Sequence, residues 1–209
     1  MTERAGWKAA ALVALALAAA PASAQTRRGE DPDWPCVQRL VPTLSAATVW
    51  TGPSLDGLGR WQDEPTVAAL VQRITPRSVT AEQGEAEIAR FAETAGSGEA
   101  RDRRLALAFA GLVEETNRER GALISRIKEL GRRQRELADI ASGAGEELRR
   151  IPSDATGEAA ARRADLEQRF AFVTRAFESA GRTLRYVCEA PVELENRLGR
   201  YARAIETRL

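Results

Sequence analysis

The chain has 209 residues, of which 44% are hydrophobic, 29% charged and 5% aromatic, enough for one domain with an ordinary core. Histidine is absent, which removes the commonest general base, the usual metal ligand and the side chain that titrates near neutrality. Lysine and arginine total 31 against 30 acids, so no net field favours nucleic acid or a strongly acidic partner.

Residues 1–24 read as a secretory signal. Arg4 and Lys8 make a cationic start, an apolar run follows from Ala9 to Ala20, and Pro21 leads into Ala22-Ser23-Ala24, the small-x-small ending that predicts cleavage between Ala24 and Gln25. The apolar run covers only ~18 Å as a helix, short of the ~30 Å hydrocarbon layer, so a retained anchor is not expected. No lipid-attachment cysteine follows the cut, because Cys36 comes after Trp34-Pro35, and no later stretch is apolar enough to span a bilayer. The pattern is of bacterial type and predicts the periplasm or the outside.

Cys36 and Cys188 are the only cysteines, and in an oxidising compartment they are expected to pair. Neither lies in a C-x-x-C motif, and no histidine is present to activate a thiolate.

Residues 25–65 read as an irregular strap. Pro32, Pro35, Pro42, Pro53 and Pro65, with Gly52, Gly57 and Gly59 among them, break any long helix, leaving room for one short helical turn around Leu44–Trp50. The strap holds Trp34, Trp50 and Trp61, which either pack it onto helices or form a recognition surface.

From Thr66 the pattern is helical, giving a bundle domain over 66–209. Thr66 is placed to cap a helix over Val67–Ile74, and Thr80 with Gln83 fits a capping box opening a helix that carries Ile88 and Phe91 and stops at Gly96-Ser97-Gly98. A long helix over about 99–141 carries one stripe: Leu105, Phe109, Leu112, Thr116, Arg120, Leu123, Ile127, Leu130, Gln134, Leu137 and Ala141. Glu114/Arg118, Glu129/Arg133 and Glu146/Arg150 are four apart and predict surface ion pairs. Gly111, Gly121 and Gly131 interrupt the helix, which close packing or mild bending would explain.

Ser142-Gly143-Ala144-Gly145 and Pro152-Ser153-Asp154 predict a reversal. A second long helix over 154–189 follows, with Leu166, Phe170, Val173, Phe177, Ala180, Leu184 and Val187 in a four-three repeat suited to an antiparallel seam. Pro191 then starts a last helix over 191–209, with Glu193 and Glu195 early in it and Leu194, Leu198, Tyr201, Ile205 and Leu209 on its apolar face. The expected fold is all-α: a long antiparallel, coiled-coil-like hairpin packed with shorter helices and wrapped by the strap. The hairpin's tip, near 136–160, would project or pair with a second copy.

Catalytic chemistry is sparse. No histidine, cysteine cluster or calcium loop points to a metal, no glycine motif cradles phosphate, and no cofactor is expected. Glu114-Glu115 and Glu146-Glu147, and the arginines Arg132-Arg133-Arg135, Arg149-Arg150 and Arg162-Arg163, read as solvated faces.

The run Asp33-Trp34-Pro35-Cys36-Val37-Gln38-Arg39, with Val49-Trp50-Thr51-Gly52-Pro53, resembles the start of a group of exported alphaproteobacterial proteins of unassigned activity. Asn117-Arg118-Glu119-Arg120 and Arg132-Arg133-Gln134 are similar to that group as well. The resemblance implies a bacterial envelope setting and supplies no site residues. The expected function is non-enzymatic: an adaptor or accessory factor that binds another envelope protein. The alternatives are a module binding a cell-wall fragment or small molecule, and a carboxylate-based hydrolase.

Overall fold

The structure, a computed structural model, describes residues 31–209; the signal reading and residues 25–30 of the strap lie outside them. Among the described residues five α-helices follow one another: α1 (Pro65–Ile74), α2 (Ala81–Thr94), α3 (Gly98–Arg150), α4 (Gly157–Val187) and α5 (Ala190–Glu206), with 3-10 turns at Ala46–Thr48 and Trp61–Asp63. No strand occurs among the described residues, as the sequence predicts.

Four helices pack together: α1, α2, the first third of α3, and α5. Val67, Val71 and Ile74 of α1, Ile88 of α2, Leu105 and Phe109 of α3, and Leu198 and Ile205 of α5 are almost wholly buried, each side chain contributing about 1.5–3 kcal/mol by leaving water. The α2–α5 crossing is close because Gly84 lacks a side chain: a Cβ there would collide with the Tyr201 ring. Arg200 fastens the same crossing with two guanidinium bonds to Glu85, at 2.7 and 2.8 Å, and a third to Glu82. These hydrogen bonds hold both carboxyls below the usual range.

Local signals set most helix ends. Thr80 and Gln83 form the predicted capping box. α1 starts two residues early, since Pro65 occupies its first turn and Glu64 the cap position, while the Thr66 hydroxyl donates to Glu64 at 3.0 Å. Proline is preorganised for that place, so it takes the start from threonine.

The largest correction concerns α3. It runs on through Ser142-Gly143-Ala144-Gly145 to Arg150, where a reversal was predicted, and its 53 residues span ~80 Å. Ala144 is buried, and a Cβ at Gly145 would lie 3.4 Å from the Phe170 ring, so tertiary contact outweighs the ~1 kcal/mol that each glycine costs a helix. The chain turns only at residues 151–156, where the Ala155 N–H closes on the Pro152 carbonyl at 3.2 Å. Accordingly α4 begins at Gly157, later than the predicted 154, and α5 ends at Glu206, short of the predicted 209.

α4 packs chiefly on α3, in antiparallel sense. A Cβ at Gly181 would lie 2.9 Å from the Gln134 amide, and Gly145 sits beside Phe170, so advance along α3 matches retreat along α4. Leu166, Val173 and Leu184 of the predicted stripe are buried, whereas Phe170 stays 37% exposed.

Of the interrupting glycines in α3, two admit close neighbours. A Cβ at Gly111 would stand 2.9 Å from the Trp61 indole and 3.0 Å from Val71, and one at Gly131 2.9 Å from Pro35. Gly121 has nothing within 4 Å. Gly111→Ala should therefore destabilise the protein by about 1–3 kcal/mol through overpacking. Gly121→Ala should stabilise it by up to ~1 kcal/mol through helix propensity. Urea denaturation of the two variants checks the opposite signs.

Candidate docking face at the disulfide

The segment Asp31–Leu44 crosses the middle of α3, held by polar attachments as well as by Pro35 over Gly131 and the buried Leu44. Asp31 accepts from Lys128 Nζ at 2.6 Å, and Asp33 accepts from Arg132 at 2.9 Å and also from Arg135. The cations hold both carboxyls below the usual carboxylate range, Lys128 acting on Asp31 and chiefly Arg132 on Asp33. Two of the arginines read as a solvated face are thus engaged within the chain. Further along, the Asn117 amide takes the Leu44 N–H at 2.8 Å and donates to the Leu44 carbonyl at 3.0 Å, completing both of its backbone bonds from a helix side chain.

Cys36 and Cys188 are joined as predicted, with Cα atoms 5.7 Å apart. Gln38 reaches the same point, its amide donating to the Cys188 carbonyl at 2.7 Å. Below lies Arg120, only 5% exposed, whose Nε donates to the Val41 carbonyl and Nη1 to the Pro191 carbonyl, both at 2.7 Å. Among the described residues no carboxylate lies within ion-pair distance of it, and burial depresses the guanidinium's proton affinity, partly offset by the field of Glu195. One side chain of α3 thereby ties the N-terminal segment to the start of α5.

Exposed apolar side chains flank this junction, among the exposed charges of Arg39, Arg185 and Glu189. Val37 is fully exposed, Tyr186 is 78% exposed, and Val41 and Val192 are about 40% exposed. Val37 and Val41 lie within five residues of Cys36, and Tyr186 and Val192 within four of Cys188, so the disulfide and the Arg120 bonds bring these two stretches of chain together. None was singled out in the sequence, because each is an ordinary apolar residue whose neighbours are over a hundred positions away. Arg120 was visible as a charged residue within an apolar stripe, the one signal that marked it.

The three strap tryptophans are each engaged within the chain. Trp61 is buried, its indole N–H donating to Glu114 at 2.8 Å. Trp50 stacks on Phe109 with centroids 4.3 Å apart and donates to the Pro53 carbonyl. Trp34 is half-buried and donates to the Gln38 carbonyl at 2.7 Å. All three indole N–H groups are taken by the chain itself. Glu114 is consequently not the partner predicted for Arg118, which pairs with Glu115 three residues back. Glu129/Arg133 and Glu146/Arg150 form no ion pair among the described residues.

A shallow groove of about 580 Å³ lies between the end of α1 and α3, lined by Trp61, Pro76, Leu123 and Arg126 and by the carboxylates Glu115 and Glu119. Both carboxylates are engaged, Glu115 by Arg118 and Glu119 by Arg77 at 3.5 Å and Arg197 at 3.4 Å. Among the described residues no group of three histidine, cysteine or acidic side chains converges as a metal site would need, and no helix is long and apolar enough to cross a membrane. No family model matches the chain, and no curated protein or solved structure matches it either.

Proposed function

We propose that the protein is a non-enzymatic, exported helical factor of the bacterial envelope that binds another envelope protein, docking it on the apolar face around Cys36–Cys188. The observation that carries this reading is the exposure of Val37 and Tyr186 beside a covalent bond, in a chain that spends its polar groups on internal fastening. An exposed apolar patch fixed to a rigid frame is the form of a protein-binding site rather than of a reaction centre. In this reading the strap and the α3–α4 hairpin form the frame: the strap carries Val37, and the hairpin presents Tyr186 from its second helix.

The disulfide supports an oxidising compartment, and the resemblance of the Asp33–Arg39 run to exported proteins supports the same address. The reading as a module for a small ligand has the α1–α3 groove as its natural site, since Trp61 lines it.

A photo-crosslinking residue at position 37 or 186, expressed in cells, should join one and the same envelope protein. A residue at the exposed Ala161 should not, and Tyr186→Asp should abolish the product from position 37. Failure of positions 37 and 186 to converge on a common product would sink the docking reading.

A further inference from the structure

A second face, on the far half of α3, has the pattern of self-association. Ile140 is 37% exposed and Phe172 67% exposed. Each lies one residue before a member of the α3–α4 seam, Ala141 and Val173, and in an antiparallel pair that shared offset puts both on the same side. The α3–α4 register sets Phe172 level with Gly143, about one helical turn from Ile140. A Cβ at Gly143 would have nothing within 4 Å, so the helix surface beside Ile140 is flat and open. The segment Asp31–Cys36 does not cover it, because its contacts fall on Lys128, Gly131, Arg132 and Arg135, around the other side of α3.

Two charges on this stripe, Arg133 and Glu147, are placed symmetrically about Ile140. Arg133 lies two turns before it and Glu147 two turns after, both exposed and both in line with it, since seven residues drift by only ~20° around a helix. Arg133 has no ion-pair partner among the described residues, and Glu147 meets only Arg162, at 3.7 Å. Laid antiparallel over the same helix of a second copy, with the two-fold axis at Ile140, Arg133 of each copy faces Glu147 of the other. Glu136 then falls opposite Ala144 and meets no like charge. Parallel pairing along the stripe sets Arg133 against Arg133 and Glu147 against Glu147, which disfavours it.

We propose that a second copy of this chain docks here, forming an antiparallel two-fold dimer through the α3–α4 pair, with Ile140 and Phe172 at its centre and two reciprocal Arg133–Glu147 bridges. Such a contact is closed and isologous, so it stops at two copies. It lies away from the disulfide face and does not depend on the partner proposed for that face.

Light scattering coupled to size exclusion on the mature, oxidised protein at about 50 μM should give twice the chain mass, in a range where specific micromolar dimers are populated. Ile140→Glu should raise the dissociation constant at least about 100-fold, since each substitution enters the interface twice. Arg133→Glu and Glu147→Arg should each weaken the dimer by about tenfold, and the double exchange should restore it, which loss of folding would not do. A monomer at that concentration overturns the proposal, as does a dimer indifferent to Ile140→Glu. Failure of the double exchange to restore association overturns the antiparallel register.

Discussion

Reduction of the Cys36–Cys188 bond is expected to lower the unfolding free energy by up to about 5 kcal/mol, the chain-entropy figure for releasing two points 152 residues apart. In a protein of this size that corresponds to a fall in Tm of ~10 °C or more. The native helices should survive at low temperature. Asp31–Lys128, Asp33–Arg132 and the Leu44–Asn117 pair still attach the segment, and α1, α2, α3 and α5 share a core that does not contain the cysteines. Thermal melts by circular dichroism, with and without reductant and on Cys36→Ser/Cys188→Ser, read the effect directly. An unchanged melting point would mean that the attachments other than the disulfide hold the N-terminal segment.

The second large effect is expected at Arg120. Removing its side chain leaves the Pro191 carbonyl unpaired in a buried setting and the Val41 carbonyl in a part-buried one, and opens a cavity where the guanidinium lay. Each unsatisfied carbonyl costs about 1–3 kcal/mol, so Arg120→Ala should lose roughly 2–5 kcal/mol in total after relief of the buried charge. Arg120→Lys should also lose stability, because a single ammonium lacks the fork that spans two carbonyls set apart. The order wild type, lysine, alanine in urea midpoints checks this. If Arg120→Met proved as stable as the wild type, the two hydrogen bonds would be incidental to the fold.

The predicted helices were legible wherever a local rule acted alone. The Thr80–Gln83 box, the Gly96–Gly98 break, the three-four stripe through Leu105, Phe109 and Leu112, and Pro191 at the head of α5 all depend on groups within a turn of each other. The expected break at Ser142–Gly145 failed because a glycine's helix cost is small, and the burial of Ala144 and the Phe170 ring over Gly145 exceed it. The sequence leaves the tryptophans either packing or recognition roles, and the partners of Trp50 and Trp61, Phe109 and Glu114, are not readable from it.

The sequence by itself determined the all-helical class, the positions of most helix starts, and the pairing of two cysteines that had no other partner. Those follow from periodicity, caps and a count of thiols, which are properties of the chain read in order. Only the tertiary structure decided that α3 continues to Arg150, that Arg120 and Asn117 fasten a distant backbone, and that Val37 and Tyr186 stay exposed near the disulfide. A helix end in a glycine-containing run, a buried guanidinium and an exposed apolar patch are each settled by what packs from elsewhere in the chain, and that information is not local.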